Sequence, residues 1–180
     1  MPFGETRSIL DTQVDELEQI WPQMLDAAAQ KAVADGRRDL AEYIRLKATN
    51  DAIRTTAVAW LVDAFIEAAS EAMKKHSNLF VEREDPYTFK RGNSTMVGTL
   101  VEMKQGVRKL SLATGWARHP SHGIMEKGAL AFARFTHLGM PKEASELRLA
   151  HGEDLPQWLD ETGSPVDSGL IAHHIAVFLS

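Results

Sequence analysis

The sequence predicts an α+β fold, a long N-terminal helical hairpin followed by an antiparallel β-sheet of meander type. Three observations carry that prediction. Apolar residues recur at spacings of 3 and 4 through the front of the chain, as on one face of a helix. Beyond Pro86 the pattern changes to alternation, the mark of a half-buried strand. Gly92-Asn93 and Gln105-Gly106 then punctuate the alternating segments as two-residue hairpin turns. On this reading residues 1–76 are the hairpin, a candidate dimerisation element, and 77–180 are a β-rich domain with a short C-terminal helix.

The first helix is expected over 12–34. Val14, Leu17, Trp21, Met24 and Ala28 form its stripe, and Thr12 with Asp15 resembles a capping box. Gly36 is a fitting stop, because glycine accepts the left-handed conformation that ends helices. Pro22 is the awkward residue: inside a helix it removes a hydrogen bond and crowds the preceding turn.

The second helix is expected over 40–75, with Asp39 and Glu42 as its start signal. At 1.5 Å per residue it is roughly 50 Å long. Its seam is Tyr43, Leu46, Asn50, Ile53, Ala57, Trp60 and Ala64, and a second row, Leu61, Phe65, Ala68 and Ala72, joins it later. The narrow part suits one partner helix and the broad part suits burial under a larger body. A buried Asn50 at the seam can set the register between paired copies. The short link between the helices makes them antiparallel neighbours. Two helices cannot cover all this apolar surface, so a homodimer through a four-helix arrangement is expected, with Tyr43, Leu46, Asn50, Ile53 and Trp60 as its surface.

Strands are expected over 86–91, 94–104 and 107–116. Two-residue turns fix the register, setting Phe89 opposite Met96, Tyr87 opposite Gly98 and Glu102 opposite Lys109. Val97, Val101, Met103, Leu110, Leu112 and Trp116 then share the core face. Tyr87, Phe89, Met96 and Leu100 share the other with the small residues Gly98, Ser111, Ala113 and Gly115. That second face is a shallow concavity, read as the platform for the long helix, with Tyr87 and Phe89 counted among the interaction residues; a ligand is the alternative occupant. Residues 124–138 read as helix or strand. The strand is favoured, because 132–137 can pair with 146–150. A terminal helix is expected over 170–179.

Composition narrows the function classes. The 180 residues include 20 basic and 25 acidic side chains, a net charge of −5, and no cysteine. Disulfide scaffolds, thiol nucleophiles and cysteine-bound metals are excluded. The start of the chain lacks the pattern of a secretory signal, and no stretch has the ~20 apolar residues that span a bilayer, so a cytoplasmic location without membrane association is expected. Residues 90–127 carry 7 basic and 2 acidic side chains, which raises nucleic acid as a partner. The acidic whole and the absence of a recognition-helix pattern argue against it.

Chemistry has few places to sit. Glycine patterns that cradle phosphates are absent, so no cofactor is expected. The richest segment follows the third strand: Arg118 can clamp an anion, and His119 and His122 can exchange protons near neutral pH. Ser121 beside them lacks the surroundings of a nucleophile, and a pair of histidines three apart is too thin for a metal site. The leading expectation is a non-enzymatic protein-interaction or assembly module. The alternatives are a small-ligand, anion or metal-binding protein, with or without enzymatic activity, centred on Arg118, His119, Ser121 and His122, and a nucleic-acid binder using 90–127.

Overall fold

A computed structural model describes the backbone of residues 9–180, and side chains from residue 20 onward except Trp21. The order is α1 (Ile9–Ala34), α2 (Arg38–Met73), β1 (Phe80–Arg91), β2 (Ser94–Gln105), β3 (Arg108–Trp116), β4 (Ala131–His137), β5 (Ser145–Ala150), β6 (Gln157–Leu159) and α3 (Ser168–Leu179). The six strands form one antiparallel meander in sequence order. The fold is therefore α+β. Among the described residues no helix is long and apolar enough to cross a membrane.

The chain divides into two compact units, 1–52 and 53–180. In the first, α1 and the start of α2 form the hairpin. α1 is already helical at Ile9, so Thr12 lies inside it and does not start it, and Pro22 is accommodated within the helix. The side chains of Asp15, Val14, Leu17 and Trp21 lie outside the described residues. Gly36 ends α1 at φ +76°: the Arg37 amide donates to the Ala32 carbonyl (2.8 Å), and the Gly36 amide donates to that of Val33 (3.0 Å). α2 starts one residue before Asp39, which falls in its first turn, where a negative charge favours the helix dipole. Ala29, Ala32 and Ala41 are the buried centre of the hairpin, with Leu40 and Ile44 packed beside them.

In the second unit α2 buries Leu61, Val62, Phe65 and Ala69 in one cluster with Val101, Met103, Leu110 and Leu112 of the sheet and Ile171 and Phe178 of α3. Side chains therefore anchor α2 on the core face. This corrects the expectation that the long helix sits on the small-residue face. The reason is rotational. The buried row Val58, Leu61, Phe65 and Ala72 lies one residue, about 100°, around the helix from the seam Ala57, Trp60 and Ala64. Polar ties reinforce the contact: Trp158 Nε1 donates to the Ala57 carbonyl (3.1 Å) and Arg54 Nε to that of Leu130 (2.8 Å).

The first hairpin has the expected register, Phe89 opposite Met96 and Tyr87 opposite Gly98, with an irregularity between Glu84 and Tyr87. β1 begins at Phe80, six residues before its expected start. The second register differs by two residues. β2 runs through Gln105, Gly106 takes φ +59° in the turn, and Glu102 stands opposite Ser111 in place of Lys109. A shift of two keeps every side chain on its expected face. The ambiguous 124–138 region resolves into a 3-10 turn (Glu126–Gly128) and strand β4, which pairs with β5. Asp167 caps α3, its carboxylate accepting from the Gly169 amide (2.8 Å).

Candidate functional site

Three places carry functional side chains. On the hairpin, Tyr43 is 63 % exposed and Leu46 60 %, and Met24 of α1 is 56 % exposed. These are the residues of the two stripes read from the sequence. The helices instead meet through the alanine row, so each keeps a second apolar row outward. Asn50 is half-buried, and its Oδ1 is buried with no hydrogen-bond partner among the described residues. Further along α2, Ile53 packs against the core of the second unit and Trp60 is 46 % exposed.

The loop after β3 is a short 3-10 turn, Pro120–His122, closed by the Gly123 amide donating to the Pro120 carbonyl (3.2 Å). Arg118 lays its guanidinium over the Trp116 ring, 3.8 Å from the centroid, and its Nε donates to the Val97 carbonyl (3.4 Å). The Arg118 amide donates to His122 Nδ1 (3.3 Å), so only Nε2 of that ring is left for a proton or an ion. The His119 and His122 rings meet edge to face, centroids 5.0 Å apart. The turn thus brings Arg118, His119 and His122 together. Ser121 is exposed, and among the described residues no hydrogen bond joins it to either histidine. No group of three or more His, Asp or Glu among the described residues is placed to hold a metal ion.

The third place is the outer face of the sheet, where a cavity of about 520 Å³ opens over the small residues. Tyr87 and Phe89 stand side by side on β1 with near-parallel rings, centroids 6.1 Å apart. Leu100, Ser111 and Ala113 make the floor, Arg134 and Thr136 line the β4 side, and the turn after β4 closes one end. At the other end Phe89 packs on the buried trio Met96, Ala129 and Phe132. Glu102 sits between two lysines, Lys109 Nζ at 2.9 Å and Lys104 Nζ at 3.1 Å, and accepts from Ser111 Oγ (3.2 Å). Burial pushes this carboxyl up, but these partners outweigh burial and hold it below its ordinary value.

The basic middle segment is largely committed within the chain. Lys104 also pairs with Glu82 (2.6 Å), and Arg91 pairs with Glu126 (2.6 Å) and Glu146 while lying over the Phe132 ring. Sequence reasoning did not reach Arg134, Thr136 or the meeting of the buried His137 and His174 with half-buried Ser145. The first two became assignable only once β4 was known to be a strand, and the trio has no spacing signature. No family model matches the chain, and neither does any curated protein or solved structure.

Proposed function

We propose that this chain is a non-enzymatic assembly module that forms a homodimer through its helical hairpin. The observation that supports this is the inversion of the hairpin's apolar surface: three alanines inside, and Met24, Tyr43 and Leu46 outside. Exposed apolar rows of this kind mark association surfaces. A second copy is the fitting partner because the hairpin is self-complementary in charge. Residues 9–26 carry five acidic and no basic side chains, whereas 31–47 carry five basic and three acidic. Two hairpins laid antiparallel about a two-fold axis set each acidic end beside a basic turn, and a two-fold interface uses one patch on both copies.

Light scattering on the full chain tests this. The expected mass is twice the 20.0 kDa of one chain. Leu46→Glu and Tyr43→Glu should each return the mass to one chain with the helical circular dichroism intact. A wild-type chain that stays at the single mass at every concentration refutes the proposal.

A further inference from the structure

We propose that the cavity on the outer face of the sheet binds a small planar aromatic molecule carrying a carboxylate. This goes beyond the assembly reading and rests on different residues. The cavity, about 520 Å³, has the size of small-molecule sites. Tyr87 and Phe89 offer it a ring wall, and Leu100 with Ala113 offers an apolar floor. Flat aromatic surfaces stack well on such walls.

Register places the anion end. Leu100 pairs with Ala113, and Ala113 pairs with Arg134, so one cross-strand row leads over the floor to a guanidinium. From β1 to β4 is three inter-strand spacings, roughly 14 Å, which leaves room for a fused ring pair between side chains reaching in from both sides.

The charges of the lining decide the sign of the ligand. Lys109 and Glu102 bond to each other, and Glu102 already takes donors from Lys104 and Ser111. Its charge is spent, so it does not call for a cation. Arg134 is different. Its one ionic partner among the described residues is Glu146 at 3.7 Å, beyond hydrogen-bond range, and Glu146 is already held by Arg91. A guanidinium has five N–H donors in a planar fork that matches a carboxylate.

Calorimetric titration of the full chain with 2-naphthoate, 2-naphthylmethylamine and 2-naphthylmethanol tests the inference. Naphthoate should bind saturably, one per chain, at least about tenfold more tightly than the amine or the alcohol. Arg134→Gln should cost naphthoate about tenfold and leave the alcohol unchanged, the size expected for losing a hydrogen bond to a charged group. Ala113→Leu, which raises the floor, should abolish binding of both. Should that variant fail to fold, nuclear Overhauser contacts in the wild type keep the test open: naphthoate protons should show them to the Tyr87 and Phe89 rings. Absence of saturable naphthoate binding, equal affinity for the amine, or contacts to other residues instead would each overturn the assignment.

Discussion

His174 Nδ1 stands 3.0 Å from His137 Nε2, and on its far side His174 Nε2 stands 3.0 Å from Ser145 Oγ. The three side chains come from α3, β4 and β5, and Phe135 stacks on the His174 ring with centroids 4.4 Å apart. Only one proton fits between two neutral rings, so the chain runs in one of two directions. If Ser145 donates to His174, His137 must carry its proton on Nδ1, which is buried with no acceptor among the described residues. If His137 donates, the unpartnered atom is a bare lone pair. An orphaned buried N–H is rarer than an underused acceptor. The expected direction is therefore His137 to His174 to Ser145. Nitrogen chemical shifts should report both rings as Nε2–H tautomers. An Nδ1–H signal from His137 would reverse the assignment.

The same trio makes stability depend on pH. Burial, then the neighbouring His137 and His173, lowers the His174 value from 6.5 to about 4. His137 is lowered too, by burial first, with Glu143 opposing and His173 assisting. A histidine lowered on folding binds its proton more readily in the unfolded chain. Its contribution is thus complete above pH 6.5, declines as pH falls toward 4, and changes no further below. For His174 the loss is on the order of 3 kcal/mol. Urea unfolding at pH 7.5 and 5.0 should show the drop, and His174→Phe should flatten it. An equal slope in the variant would assign the dependence elsewhere.

The sheet shows why some of this was readable and some was not. Gly92-Asn93 carries its turn chemistry openly, and so the pairing of Phe89 with Met96 follows from sequence. Gly106 also takes a positive φ, but as the first residue of a turn with Val107, an exposed β-branched residue that reads as strand. The register therefore slipped by two while the faces stayed right. The small-residue face was visible, yet its occupant was not, because the row of α2 that meets the sheet is one residue around from the more regular seam. Arg134 and His137 needed β4 to be placed first. The meeting of His137 with His174 depends on packing between residues 37 positions apart, which no local pattern encodes.

Gly98 and Gly115 stand opposite each other on the outer face. A Cβ on Gly98 would lie 2.0 Å from the Thr114 carbonyl oxygen, and one on Gly115 would lie 2.5 Å from that of Val97. Both obstructions are backbone, so no side-chain rotation relieves them. Gly98→Ala or Gly115→Ala should each cost about 1–3 kcal/mol, the usual range for overpacking, as a fall in urea midpoint. Gly106→Ala meets nothing within 4 Å among the described residues and isolates the separate penalty of a positive φ. If all three variants unfold alike, close backbone approach is not what the glycine pair provides.

Asn50 lies on the α2 seam between exposed Leu46 and half-buried Ile53. Its buried Oδ1 has no donor among the described residues, and an unmet buried acceptor costs about 1–3 kcal/mol. A polar residue kept at such a cost on a helix seam commonly selects register and copy number. Asn50→Leu separates the two effects. Removing the acceptor should raise the urea midpoint by an amount worth about 1 kcal/mol, since the replacement is apolar and similar in volume. Losing the polar selector should broaden the mass distribution in light scattering, adding species larger than a dimer. A lower midpoint would mean that Oδ1 is bonded in solution. A higher midpoint with an unchanged single mass would leave Asn50 as a local cost to stability and strip it of any part in choosing the partner.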